Sequence, residues 1–300
     1  MQTLKTSTLA KLALFLATVI WGSSFVIIKD AVNLITPNFL MAIRFTGAFI
    51  ILSIIFHKKL CSITRDMIWK GAIMGACLFF AYFFQTLGVM QTTPGKNAFL
   101  TAVYCVLVPF MAWIAGSNRP DRWNIIAAFI CITGIGLISL QSDFSMGIGD
   151  ALTLVGGFFY SCHMVAVAKY GEGKDPVAMT ILQFAFAAII FWFATFIYDG
   201  GVRPIPLKVI PSIGYLCLFC TGAALLLQNF GQKHTNPSAA ALILTFESVF
   251  GTLFSVVMGR ELLSFRIVSG FVLIFLAVVV SETKLSFLLK KKEETLSELD

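Results

Sequence analysis

Ten apolar runs, each about 17 to 22 residues long, follow one another along the chain with only short polar breaks between them. A helix of about 20 apolar residues is what crosses ~30 Å of hydrocarbon. The mean hydropathy of +0.89 and the 12% of charged residues also lie outside the range of soluble domains. The sequence therefore predicts an all-α integral membrane protein with ten transmembrane spans: Leu9–Ile28, Asn38–Phe56, Ile68–Met90, Ala98–Ala115, Trp123–Leu140, Gly149–Ala168, Val177–Tyr198, Ser212–Phe230, Ala239–Met258 and Leu262–Val280.

The stretch Gln85–Gly116 matches Gln228–Gly259 without gaps, at a constant offset of 143 residues. Three of the six matched positions are Gly or Pro, which fix backbone shape. The six pairs are Gln85/Gln228, Gly88/Gly231, Thr92/Thr235, Pro94/Pro237, Ala98/Ala241 and Gly116/Gly259. Each copy reads as a helix that ends, a polar break, and Pro at a new helix start, with Thr93 and Asn236 as candidate N-caps.

The earlier part of each half aligns at an offset of 139 residues: Trp21/Tyr160, Val26/Val165, Pro37/Pro176, Phe45/Phe184 and Ala48/Ala187. The duplication therefore covers five spans. Because five is odd, the second copy enters the membrane from the opposite side, which predicts two inverted five-helix repeats over residues 11–140 and 149–282. Residues 283–300 are predicted to form a charged cytoplasmic tail. An inverted repeat around one central site is typical of a transporter, and a duplication that merely built a stable bundle is the alternative.

The Lys and Arg residues behind the net charge of +7 are spread over the loops between the spans and do not form one basic surface. Lys and Arg are more frequent on the side of the N-terminus, which predicts that both termini are cytoplasmic in a multi-pass protein of the cell (inner) membrane. Nucleic acid is therefore not an expected partner. The lipid bilayer and a small-molecule solute are the expected partners, and the chain is expected to be a monomer or a homodimer.

Enzyme chemistry finds little support in the sequence. The seven cysteines show no zinc-ligand spacing, and Cys217-x-x-Cys220 lies inside a predicted span, which does not suit a redox pair. No Walker A pattern is present. We therefore predict no catalytic residue, no metal and no cofactor. An integral-membrane enzyme acting on a lipid or isoprenoid is the alternative, and it would need clustered carboxylate, His or Cys groups.

Five short motifs follow one another in order: Trp21–Phe25 with Lys29, Arg44-Phe45, the two breaks Gln85–Pro94 and Gln228–Pro237, and Gly259–Leu262. In this order they resemble the EamA-type family of ten-helix permeases in the drug/metabolite transporter superfamily. The resemblance covers nearly the whole chain. It implies a basket of spans 1, 3, 4, 6, 8 and 9 around a central cavity, with spans 5 and 10 at the periphery, and movement of a small metabolite or amphiphile.

Polar groups inside a membrane are costly, and symmetry selects the ones that would face a shared cavity. The offsets pair Trp21 with Tyr160, Ser24 with His163, Gln85 with Gln228, and Tyr104 with Glu247. Helical spacing adds Tyr82, Asn97 and Thr101. The predicted solute-binding residues are Trp21, Ser24, Tyr82, Gln85, Asn97, Thr101, Tyr104, Tyr160, His163, Gln228 and Glu247. Bonding from helix to helix is the alternative role for the two glutamines, and ordinary packing is the alternative for the aromatic residues.

Three charged or titratable positions carry separate expectations. Glu247, with apolar neighbours on both sides, is suited to carry a proton or to oppose a cationic solute, or else it is a structural carboxylate. Arg44 is expected to extend towards the outer headgroups or to pair with a carboxylate, and contact with the solute is the alternative. His163 is expected to be a hydrogen-bonded core residue unless it titrates in the cavity. The leading function is a secondary transporter that moves a small metabolite or drug-like solute by alternating access, as an exporter.

Overall fold

The computed structural model of the protein describes residues 2–117, 119–140, 146–234 and 243–284. Within these ranges the chain is helical, and its β-pairing is limited to one bridge, between Leu140 and Met146. The helices are numbered below as spans. They are span 1 (Gln2–Ala31), span 2 (Pro37–Ile55), span 3 (Arg65–Gln91), span 4 (Pro94–Thr101 and Tyr104–Ile114), span 5 (Arg122–Ser139), span 6 (Ile148–Gly171), span 7 (Pro176–Tyr198), span 8 (Leu207–Val209, Ile210–Tyr215, Leu216–Ala223 and Ala224–Lys233), span 9 (Phe246–Val257), span 10 (Phe265–Thr283) and a short helix His57–Leu60.

Nine helical stretches in the described part of the chain are long and apolar enough to cross a membrane. They correspond to the predicted spans 1 to 8 and 10. Span 9 was predicted from Ala239, but residues 235–242, with Asn236 and Pro237, lie outside the described residues, as do Asn118, residues 141–145 and the tail from residue 285. The two-repeat, all-helical membrane fold is confirmed.

Equivalent contacts in the two halves show the repeat directly. A Cβ atom added to Gly88 in span 3 would lie 2.9 Å from the carbonyl oxygen of Gly149 in span 6. A Cβ atom added to Gly231 in span 8 would lie 2.9 Å from the carbonyl oxygen of Ala10 in span 1. Gly231 is the partner of Gly88 at the offset of 143, and Gly149 is the partner of Ala10 at the offset of 139. Glycine at both positions lets the paired helices approach closely.

Span 4 starts earlier than predicted, and it is broken. Thr93 caps its first helix by accepting a hydrogen bond from the backbone amide of Lys96, with Pro94 at the first helical position. The helix then stops for two residues, Ala102 and Val103, and the equivalent position in span 9, Thr245, is also non-helical. Hydropathy predicts continuous helices here because the apolar run is not interrupted.

Spans 5 and 10 pack against each other through small residues. A Cβ atom on Gly134 would lie 2.9 Å from the carbonyl oxygen of Gly270, and one on Gly270 would lie 2.9 Å from the carbonyl oxygen of Gly134. Such close backbone approach supplies van der Waals contact in a membrane, where lipid removes most of the hydrophobic driving force between helices. These two spans form a pair, and the remaining eight enclose the cavity described next.

Candidate functional site

A cavity of about 120 Å³ lies between the two halves. Ten of the eleven residues predicted to bind the solute line it: Trp21, Ser24, Tyr82, Gln85, Thr101, Tyr104, Tyr160, His163, Gln228 and Glu247. All four pairs selected by the repeat are among them, so each half contributes matching positions to one space.

The lining comes from the six spans that the resemblance implies and from two more. Phe45 of span 2 and both Gln183 and Phe184 of span 7 also face the cavity. Spans 5 and 10 contribute none of the lining residues found in the described ranges. Phe45 and Phe184 are themselves partners at the offset of 139, so the extra lining obeys the same symmetry.

Asn97 is the predicted residue that does not line the cavity. Its side chain is fully buried, and its amide nitrogen donates to Thr153 Oγ1 at 2.7 Å and to the backbone oxygen of Gln85 at 3.2 Å. Asn97 shares the helix Pro94–Thr101 with Thr101 but lies one turn nearer its start, where spans 3 and 6 enclose its side chain. Asn97 instead joins spans 3, 4 and 6 behind the cavity wall.

The two symmetric glutamines have different surroundings. Gln85 Oε1 accepts a hydrogen bond from the Tyr160 hydroxyl at 2.9 Å, and Gln85 Nε2 donates to Thr101 Oγ1 at 3.0 Å. Gln85 therefore ties spans 3, 4 and 6 together at the cavity surface. The side chain of Gln228 forms no hydrogen bond with any residue in the described ranges, so its amide group is free to face a ligand.

Aromatic side chains form one wall of the cavity. The Tyr82 and Tyr160 rings meet edge to face with centroids 5.4 Å apart, and Tyr104 lies 6.0 Å from Tyr160. Across from them, Trp21 Nε1 donates to the backbone oxygen of Cys220 at 2.6 Å. Cys220 belongs to the π-helical segment Leu216–Ala223, a type of helix that is frequent at functional sites. The wall offers flat apolar faces with polar edges, which suit an organic solute.

The breaks in spans 4 and 9 place Tyr104 and Glu247 at the cavity. Tyr104 is the first residue after the break in span 4, and Glu247 lies in the first turn after the break in span 9. A carboxylate in the first turn also meets the positive end of the helix dipole. Within the described residues the carboxylate of Glu247 forms no hydrogen bond and no ion pair. The structure therefore gives no support to the alternative that Glu247 is a structural carboxylate held by a neighbouring side chain.

The sequence left two roles open for His163, a hydrogen-bonded core residue and a titrating residue in the cavity, and the structure has features of both. Its Nε2 atom is 2.7 Å from Gln183 Oε1, as expected of a hydrogen-bonded core residue. Because an amide oxygen only accepts, this contact places a proton on Nε2. His163 also lines the cavity, so its ring forms part of the surface that a solute would meet.

Arg44 was expected to reach the headgroups or to pair with a carboxylate, and among the described residues the structure shows neither arrangement. The side chain is only 1% exposed, its Nε donates to Thr221 Oγ1 at 2.8 Å, and its guanidinium carbon lies 4.8 Å from the Tyr82 ring centre. It forms no ion pair with any carboxylate in the described part of the chain. Thr221 and Tyr82 both line the cavity, so Arg44 lies directly behind its wall.

Comparison with known proteins places the chain in a family. Residues 8–140 and 147–283 each match the model of the EamA-like transporter family. An uncharacterized transporter of Archaeoglobus fulgidus is 30% identical over 272 residues, which are 90% of this chain and 85% of the relative. A second uncharacterized transporter of that organism is 24% identical over 256 residues, 81% of this chain and 87% of its own.

A protein of known crystal structure shares the fold. It superposes with a TM-score of 0.63 over 91% of this chain and 96% of its own length, at 17% sequence identity. This identity is too low to carry function, and it supports the architecture alone. The family model, in contrast, matches both halves and covers most of the sequence. The chain therefore belongs to the EamA-like transporter family.

Proposed function

We propose that this membrane transporter is a secondary carrier that moves a small organic solute through the cavity by alternating access, in the export direction. The observation that carries the proposal is the lining itself, because residues paired by the inverted repeat face one space from both halves. Two similar halves that face opposite ways can exchange conformations and open the same site to either side. The proposal includes both termini in the cytoplasm and a location in the cell (inner) membrane.

Reconstituted protein tests this proposal. Solutes are first screened for thermal stabilisation in detergent over amino acids, nucleosides, sugars and cationic drugs, since a bound solute stabilises the folded state. A hit is then measured in liposomes preloaded with unlabelled solute. We expect saturable uptake of label that the internal solute accelerates. Flux without saturation would indicate a channel, and a chemically altered solute would indicate an enzyme.

Glu247 is the proposed site of proton coupling. A carboxyl group that lines the cavity without a fixed partner can bind a proton on one side of the membrane and release it on the other. If one proton is exchanged per neutral solute, a gradient of one pH unit supports about tenfold accumulation, because ~1.4 kcal/mol corresponds to a factor of ten.

In the Glu247→Gln variant we expect this accumulation to fall to about equal concentrations. Exchange is expected to continue at a saturating solute concentration, which is used because Glu247 also lines the cavity and its replacement can lower the affinity. Accumulation and exchange are measured in the same liposomes with and without the pH gradient. Asp66→Asn is the matched control, because Asp66 is paired with Lys70 and Lys174 away from the cavity. Equal accumulation by wild type and Glu247→Gln would remove Glu247 from the coupling step.

A further inference from the structure

A second cavity, of about 380 Å³, lies at the end of the bundle where spans 3 and 5 end and spans 4, 6 and 10 begin. In the proposed topology this end faces the outside of the cell. The cavity is separate from the central one, since the two have no lining residue in common among the described residues. Its lining includes two cations, Lys96 and Arg266, and one carboxylate, Asp150. The cavity therefore has an excess of positive charge in the described part of the chain.

This positive charge is only partly neutralised by the chain itself. Lys96 Nζ lies 3.3 Å from Asp150 Oδ2, and the Thr92 hydroxyl donates to the other carboxylate oxygen of Asp150. Arg266 is exposed, and its Nη2 donates to the backbone oxygen of Leu140. It forms no ion pair with a carboxylate in the described ranges. The remaining N–H groups of the Arg266 guanidinium are therefore left to pair with an anion.

A buried hydroxyl at the same cavity also lacks a partner. Ser139, the last helical residue of span 5, lines the cavity and is 4% exposed, and its Oγ atom forms no hydrogen bond with any described residue. Most buried polar groups are paired, so this hydroxyl indicates a place for an acceptor from outside the chain. Span 10 begins at the cavity with Ser264 as its N-cap, and the positive end of its dipole adds to the field of Arg266.

Exposed apolar side chains lie beside these polar groups. Leu262 and Phe265 are each 90% exposed, and Phe265 stands between Ser264 and Arg266 in the chain. Apolar side chains at a membrane surface gain free energy when lipid covers them. A cationic cavity bordered by such residues fits an amphiphile better than a free ion, because a free ion covers none of the apolar surface.

We infer that this cavity binds the phosphate group of an anionic membrane lipid, with Arg266, Lys96 and Ser139 as the donors. Phosphate accepts several charge-assisted hydrogen bonds, and a guanidinium matches its geometry. Basic pockets between transmembrane helices bind lipid head groups in this way. The bound lipid joins span 4, in the first half, to span 10, in the second half, without entering the central cavity. The inference does not depend on which solute is carried.

Four probes separate a lipid from a soluble phosphate. Dioleoyl phosphatidylglycerol and dioleoylglycerol share their acyl chains and differ by the phosphoglycerol group. Glycerol 3-phosphate and inorganic phosphate carry the anion without acyl chains. The delipidated full chain in detergent is titrated with each probe, and thermal unfolding and native mass spectrometry measure binding. We expect phosphatidylglycerol to bind with an affinity roughly tenfold or more above that of each other probe.

Variants then locate the site. Arg266→Gln removes the charge at the cavity and is expected to lower the affinity for phosphatidylglycerol roughly tenfold. Ser139→Ala removes one hydroxyl and is expected to lower it roughly threefold. Arg203→Gln is the matched control, because Arg203 is an exposed arginine at the same end of the bundle that does not line the cavity. It should bind phosphatidylglycerol as wild type does.

Three results would overturn the inference. Equal binding of phosphatidylglycerol and dioleoylglycerol would show that the phosphate is not recognised. Equal losses in Arg266→Gln and Arg203→Gln would indicate a general layer of lipid around the protein. Binding of either soluble phosphate as tight as that of the lipid would indicate a site for a free anion. If Arg266→Gln does not fold, the comparison of Ser139→Ala with Arg203→Gln locates the site, and solute counterflow tests the carrier function separately.

Discussion

The Gly22→Ala variant is expected to lose roughly 1–3 kcal/mol of unfolding free energy, and Gly22→Val more, because span 1 crosses span 9 without room for a side chain. A Cβ atom at position 22 would lie 2.5 Å from Phe250 Cβ and 2.9 Å from the backbone nitrogen of Gly251. A flexible side-chain end can move away from such a contact. Backbone atoms of a packed helix move only if the two spans separate, and that separation exposes contacts on both sides of the crossing.

Gly214→Ala is the matched control for this prediction. Gly214 is also a helical glycine in a span, but an added Cβ atom there would meet no atom within 4 Å. We expect Gly214→Ala to be as stable as wild type, since alanine is the better helix former. Thermal unfolding and the fraction of monodisperse protein in detergent measure both variants. Equal stability of Gly22→Ala and Gly214→Ala would contradict the close crossing of spans 1 and 9.

A disulfide between positions 95 and 252 is expected to stop transport almost completely. An added Cβ atom on Gly95 in span 4 would lie 3.2 Å from Thr252 Oγ1 in span 9, the atom whose place a cysteine sulfur would take. The two positions are therefore close enough for a disulfide. Spans 4 and 9 are equivalent in the repeat. If alternating access separates them at this end, a covalent link there holds one conformation.

Other contacts also join the helices at this end of the bundle, where the start of span 4 lies beside the end of span 9. Arg260 pairs with Asp30 at 2.7 Å, joining the segment after span 9 to span 1. The adjacent Glu261 is only 5% exposed, and its carboxylate would lie 2.7 Å from a Cβ atom on Gly95. Burial raises the pKa of the Glu261 carboxyl group, while the Thr93 side chain and the backbone amides of Gly95 and Lys96 oppose that rise. The cross-link would therefore fix an end that is closed in this structure.

The experiment is counterflow by Gly95→Cys/Thr252→Cys protein in liposomes, before and after oxidation. We expect oxidation to reduce the rate to that of empty liposomes and a reductant to restore it. The two single-cysteine variants control for the seven native cysteines, which are all free in the structure, and oxidation should leave the rate of each single variant unchanged. Wild-type rates in the cross-linked protein would show that spans 4 and 9 need not separate here.

Much of the fold and the cavity was predictable from residue types alone. The length of each apolar run predicts a membrane-spanning helix, because backbone polar groups in hydrocarbon must be paired and a helix pairs them within one segment. The repeat then predicted which residues line the cavity, as it did for Gln85 and Gln228, since equivalent positions of an inverted repeat face a shared axis. The helix breaks were not predictable, because Ala102 and Val103 are apolar and a single threonine such as Thr245 does not interrupt an apolar run.

Arg44 shows a second limit of sequence reasoning. Its surroundings depend on Thr221 and Tyr82, which reach it from spans 8 and 3 through the rotation of those helices. Hydropathy measures how long a helix is and says nothing about which residues of other helices meet one side chain. The absence of a carboxylate around Arg44 in the described residues therefore became visible only in three dimensions.

The π-helical segment of span 8 explains a small departure from symmetry. A Cβ atom on Gly75 in span 3 would lie 2.7 Å from Phe186 Cβ in span 7. Gly47 in span 2 is the partner of Phe186 at the offset of 139, and a Cβ atom there would lie 2.8 Å from Cys217 Sγ in span 8. The offset of 143 maps Gly75 onto Leu218, one position further along. Span 8 thus contains one more residue between Cys217 and its cavity residue Gln228 than span 3 contains between Gly75 and Gln85.

A single inserted residue of this kind would turn the rest of an α-helix by about 100°, and the wider turn of Leu216–Ala223 absorbs it. The insertion has made the two copies non-interchangeable. A chimaera with span 3 transplanted into the place of span 8 would therefore align its cavity end and misdirect its other end.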